Sequence, residues 1–182
     1  MIQINNELRD RAYQCACKHG FHDKEYSDEH FMMLIITDIS EAVNADRKGK
    51  RANKEYIEEE LTNLESKGYF ARGFDYLIKG STEEELVDVV IRCLDYAGLN
   101  KINIEDRIIL SYTVTKKKSF VENMYAIVKD IVNYKYSKEE LVNYAFRQVL
   151  RVAEFYNIDL LWFIEQKMKY NEMRPKFNGK KY

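Results

Sequence analysis

Apolar residues in this chain recur every three or four positions over most of its length, the spacing of one face of an α-helix. A single proline, Pro175, and only seven glycines leave long stretches free to be helical. The pattern predicts helices over roughly 5–19, 28–48, 52–67, 82–97, 119–133, 137–155 and 157–171, with a short helix over Phe70–Lys79. Gly20, Gly49, Gly68 and Gly98 stand where helices are expected to stop, since glycine enters the left-handed conformation at little cost. Starts are marked by Ser81 with Glu84, Ser119 with Glu122 and Ser137 with Glu140, each matching the Ser-x-x-Glu capping box. Residues 99–118 fit the pattern least well. There Arg107–Val114 (RIILSYTV) is β-branched enough for a short strand without an obvious pairing partner, and Lys116–Lys118 reads as a solvated loop. The expected fold is all-α: one helical bundle over residues 1–182, with a basic tail from about 172.

Two helices carry acids where a core helix usually has none. In the 28–48 helix, at about 100° per residue, Asp38 shares its face with Phe31, Leu34, Ala42 and Ala45. An ionised carboxylate buried there needs a cation or a proton. Glu41, one turn on, is able to converge on the same point. The 82–97 helix is apolar over most of its circumference, as a central helix is. Its polar residues Glu85, Asp88, Arg92 and Asp95 recur at intervals of three, four and three, forming one stripe. Facing Asp38 and Glu41, that stripe makes an interior acidic cluster. Facing solvent, it is an ordinary polar surface with Asp88 and Arg92 as an exposed pair.

Composition narrows the chemistry. Charged residues make up 32% of the chain but cancel to a net −1, so long-range attraction to a nucleic-acid polymer is not expected. No stretch approaches the roughly 20 apolar residues of a membrane span, and the polar N-terminus does not resemble a secretory leader. Cys15, Cys17 and Cys93 are odd in number, and the first two point to different sides of their helix, so a reduced, cytoplasmic protein is expected. Oxygen-only clusters suit Mg²⁺ or Mn²⁺ better than Zn²⁺, and magnesium bridges readily to phosphate. A di-iron bundle requires Glu-x-x-His pairs; His19, His22 and His30 form none, and they read as surface or loop residues. Arg47, Lys48 and Lys50 read as compensation for a helix C-terminus.

With these residues in view, TDISEAVNADRKGK followed by EEELVDVVIRCLDYAG resembles the MazG-like all-α nucleotide pyrophosphohydrolases. That family carries a Glu-Glu-x-x-Glu helix and then a Glu-x-x-Asp helix. The second and third acids of the first motif fall on Asp38 and Glu41, and the second motif falls on Glu85 and Asp88. Thr37 replaces the first acid, and the second is shortened to Asp, departures that bear on how many metal ions are held. The C-terminal run is similar to a basic tail found in some members, carried here by Lys167, Tyr170, Asn171, Arg174, Pro175, Gly179 and Lys180, with Asn178 where His is expected. The resemblance implies a homodimer or homotetramer whose sites are partly built by neighbouring subunits. It also implies cleavage of a nucleoside triphosphate, or a related nucleotide, to a monophosphate and pyrophosphate.

The cluster and the resemblance together give a definite expectation. Asp38, Glu41, Glu85 and Asp88 hold Mg²⁺, with Mn²⁺ as a possible substitute, and Glu41 and Glu85 take part in catalysis. Lys167 and Arg174 meet phosphate, Asp95 and Asn171 contact sugar or base, and Arg92 also binds substrate. The rival expectation is a catalytically silent helical protein of the same fold that binds nucleotide or regulates.

Overall fold

A computed structural model describes residues 3–104, 116–133, 135 and 137–176 of the chain. Among the described residues there are eight helices and no strand: α1 (Asn6–Lys18), α2 (Asp28–Arg47), α3 (Lys54–Ser66), α4 (Phe70–Leu77), α5 (Thr82–Leu99), α6 (Phe120–Asn133), α7 (Lys138–Phe155) and α8 (Leu160–Glu172). The fold is all-helical, as the periodicity predicts. None of these helices is long and apolar enough to cross a membrane. The expected strand over Arg107–Val114 and the end of the basic tail lie outside the described residues.

Most boundaries follow the local signals. Ser137 Oγ accepts from the Glu140 N–H while Glu140 reaches back to the Ser137 N–H, a complete capping box at α7. Ser119 and Glu122 exchange the same pair of bonds before α6. At α5 the arrangement differs. Ser81 Oγ accepts from the Glu84 N–H, but the Glu84 carboxylate turns to the Gly80 N–H and to Lys167. Asp159 caps α8, so that helix begins at Leu160, later than the periodicity suggests, after Asn157 in the left-handed region (φ 56°).

Gly98 corrects the sequence reading. It does not end α5, which continues to Leu99 before Lys101 takes the left-handed turn (φ 55°). A Cβ on Gly98 would lie 2.4 Å from Tyr13 Cβ, so the glycine serves the close approach of α1 to α5.

Helix α5 is the central element, packed against α1, α2, α7 and α8. Leu86, Val87, Val89, Val90, Cys93, Leu94 and Ala97 are buried on its apolar sides. The register of α2 against α5 is fixed by the connection that follows α2. Glu83, buried in the first turn of α5, accepts from Arg51 Nε (2.6 Å) and the Ala52 N–H (2.8 Å). Thr82 donates its N–H and hydroxyl to the Lys50 carbonyl oxygen. At the other end of the pair, Tyr96 donates its hydroxyl to Asp28 at 2.7 Å. These ties bring the polar stripe of α5 opposite Asp38 and Glu41.

Candidate functional site

The stripe faces inward. Asp38, 3% exposed, accepts from Arg92 Nε at 2.5 Å and from Nη2 at 3.3 Å, a two-pronged pair linking α2 to α5. Arg92 therefore pairs across the interface with Asp38, and the exposed Asp88–Arg92 pair is not formed. One turn towards the N-terminus of α5, Lys167 of α8 is also 3% exposed and donates to Glu84 and, at 2.9 Å, to Asp88. Its ammonium lies 5.8 Å from the Phe74 ring centre, which adds a cation–π contact. Glu41 is exposed and Glu85 half-buried. Their carboxylates form no hydrogen bond or ion pair among the described residues.

Five carboxylates (Asp38, Glu41, Glu84, Glu85 and Asp88) thus meet two cations, Arg92 and Lys167, and the excess negative charge appears in the titration behaviour. Burial, then repulsion from Asp88, Glu84 and Glu41, pushes the Glu85 carboxyl up to about 8, with Lys167 offsetting only part. Burial raises Asp38 to about 6 against the attraction of Arg92, with Asp88 and Glu41 adding repulsion. Glu84 is raised by burial and by Asp88, and held down in part by Lys167 and the Gly80 N–H. Burial works against the charge on Lys167, but Asp88 and Glu84 outweigh it and keep the ammonium protonated. Arg92 follows the same logic through Asp38, Asp88 and Asp95.

Beside this cluster lies a cavity of about 590 Å³, within the range of small-molecule sites. Asp88, Ile91, Arg92 and Asp95 of α5 form one wall, and Met168, Asn171 and Arg174 from the end of α8 form another. Ala12, Cys15 and Ala16 of α1 and Phe31, Leu34 and Thr37 of α2 close the apolar sides. Four residues expected to meet substrate, Arg92, Asp95, Asn171 and Arg174, therefore line one space. Lys167 is not among the lining residues and points into the acidic cluster. Of the four acids expected to hold metal, Asp88 faces the cavity, Asp38 is engaged by Arg92, and Glu41 and Glu85 lie on the flank of the cluster. Among the described residues, no group of three or more His, Cys, Asp or Glu side chains is arranged to hold a metal ion.

His19 and His22 lie in the loop after α1, as expected, but their side chains turn inward rather than to the surface. His22 Nε2 donates to Asp95 Oδ1 at 2.6 Å, and its ring packs between Tyr13 (5.0 Å) and Phe31 (6.0 Å, stacked). Asp95 is raised by burial and held down in part by His22 and Arg92. His19, 5% exposed, sets Nδ1 2.7 Å from the Cys15 carbonyl oxygen and Nε2 2.8 Å from that of Arg174. It ties the end of α8 to α1, which positions Arg174 at the cavity. Glu83 escaped the sequence reading and Glu84 was read only as a capping residue, because acids in a first helical turn ordinarily serve the dipole and the cap. The three consecutive acids in the first turn of so apolar a helix were the available signal. Nothing local announces that His22 folds back onto Asp95, 73 residues away. Cys15, Cys17 and Cys93 are free thiols. No known family, curated protein or solved structure matches this chain.

Proposed function

We propose that this chain is a magnesium-dependent nucleotide pyrophosphohydrolase of the MazG-like type, cleaving a nucleoside triphosphate or related nucleotide to monophosphate and pyrophosphate. The observation that carries this reading is the placement of an under-neutralised carboxylate cluster against a ligand-sized cavity lined by Arg92, Arg174, Asn171 and Asp95. Magnesium is commonly held by one or two carboxylates, with waters and substrate phosphates completing its shell. Glu41 and Glu85, without hydrogen-bond partners among the described residues, fit that donor set, with Asp88 beside them. Such an ion supplies neutralisation of phosphate charge and a more acidic attacking water.

The chain's own groups divide the remaining work. Burial and the neighbouring acids push Glu85 up to about 8 while the cluster holds no cation, and a bound divalent ion would reverse that shift, so Glu85 serves this reaction as an ionised ligand. Arg174 brings a guanidinium fork to the phosphates, while Arg92, held by Asp38 through Nε and Nη2, offers them the remaining Nη1 side of its guanidinium. A homodimer or homotetramer in a reducing, cytoplasmic setting belongs to the same proposal.

A second reading has its own support. Arg92 and Lys167 already compensate Asp38, Glu84 and Asp88 within the bundle, and Thr37 stands where the resemblance expects an acid. A protein that binds nucleotide without turning it over fits those pairings. Pyrophosphate release from a panel of ribo- and deoxynucleoside triphosphates, with Mg²⁺ and with EDTA, separates the two. Metal-dependent release that is lost in Glu85→Gln supports the enzyme. No release from any member favours the silent protein.

A further inference from the structure

The cavity has two chemically distinct ends, set out along α5. Along α5 its lining runs from Asp88 to Asp95, seven residues apart, about 10 Å of helix rise. The acidic cluster adjoins the Asp88 end. At the Asp95 end the surroundings are aromatic: Phe31 lines the cavity with His22 stacked against it, and Tyr26 stacks on His30 at 4.2 Å with ring planes 13° apart. Flat, apolar walls of this kind suit a flat ring.

The polar atoms at that end ask for hydrogen-bond donors. Asp95 Oδ1 accepts from His22, whereas Oδ2 makes no hydrogen bond to a described residue and is the acceptor that Asp95 offers to the cavity. The carboxamide oxygen of Asn171, a residue that also lines the cavity, is buried and has no hydrogen-bond partner among the described residues. A buried acceptor left without a donor costs free energy, and a bound molecule carrying N–H groups relieves that cost.

We infer that Asp95, positioned by His22 beside the Phe31 wall, is a specificity-determining residue that reads an amino-bearing nucleobase. This rests on the nucleotide reading proposed above and adds which bases are accepted. The base is the favoured partner for Asp95, ahead of the sugar, because the carboxylate is bonded to the very ring that stacks on Phe31. An exocyclic amino group donates to Asp95 Oδ2 in place of a missing partner. An oxo group at the same ring position sets a second acceptor against a carboxylate, which is repulsive.

Two matched pairs test this, CTP against UTP and ATP against ITP, each exchanging an amino for an oxo group. In the wild-type protein the amino member is expected to be favoured about tenfold or more in kcat/KM, because a site built to pair a donor leaves its acceptors unsatisfied with the analogue. In Asp95→Asn the ratio collapses or inverts, since the carboxamide brings donors of its own. His22→Gln, which keeps a donor towards Asp95, lowers the ratio by less than Asp95→Asn. Equal kcat/KM within the pairs, or preference for an oxo member, overturns the base assignment and leaves pyrophosphate release as evidence for the enzyme. If nothing is turned over, equilibrium binding of the same four nucleotides decides. An amino preference in binding keeps the assignment and removes the hydrolase reading, whereas absence of binding or of preference overturns it.

Discussion

Replacing Glu85 by Gln should make the protein more stable and at the same time inactive. The carboxyl is pushed from 4.5 to about 8 by burial and by Asp88, Glu84 and Glu41. At about 1.4 kcal/mol per pKa unit the full shift corresponds to roughly 5 kcal/mol. Glu85 is only half-buried, so solvent screening reduces the realised effect to about 1–2 kcal/mol. The sign follows from proton linkage. A carboxyl whose pKa is raised by folding makes the native state bind more protons than the unfolded chain, so stability falls as pH rises. The cost is absent below about pH 4.5, grows between there and about 8, and is constant above it. Glutamine removes it, and Tm at pH 8 is expected to rise by roughly 2–8 °C, with no gain at pH 4. Circular dichroism melts at the two pH values measure this, with pyrophosphate release followed in parallel. Adding Mg²⁺ at pH 8 should raise the Tm of the wild type and not that of the variant, because a ligand stabilises only the state that binds it. A lower Tm for Glu85→Gln at pH 8, or an equal gain at pH 4, would refute the account of the cluster's electrostatics.

Lys167→Met removes the buried cation shared by Glu84 and Asp88 and is expected to cost about 3–5 kcal/mol at pH 7.5, roughly 6–20 °C in Tm. The deficit should shrink at pH 5 as the stranded acids take up protons, and a pH-independent loss would count against the charge explanation. Gly98→Ala gains helix propensity of about 1 kcal/mol but meets Tyr13 at 2.4 Å, so a net loss of about 1–2 kcal/mol is expected by urea unfolding; stabilisation would show that α1 yields easily. Ser137→Ala deletes half of the α7 capping box and should lower stability by about 1 kcal/mol, read as a Tm shift of about 2–4 °C, with nucleotide binding unchanged.

The amino-acid sequence by itself determined the helical class, since a 3.6-residue repeat and Ser-x-x-Glu caps are local properties that need no knowledge of the fold. The apolar girth of α5 marked it as central, and Asp38 was recognisable as buried from its neighbours on the same helical face. Tertiary structure alone decided what those acids meet. Arg92 turns to Asp38 rather than to Asp88 because the 50–52 connection, tied to Glu83 and Thr82, sets the α2–α5 register. Lys167, read as a phosphate ligand, points inward because α8 packs along α5 with its ammonium beside two carboxylates. Gly98 looked like a stop because a glycine that ends a helix and one that lets another helix approach are identical in sequence. The Asp95–His22 pair joins residues far apart in the chain, and no periodicity encodes that contact. Local patterns fix which faces are polar, but the partner of a buried charge is chosen by the packing of other helices.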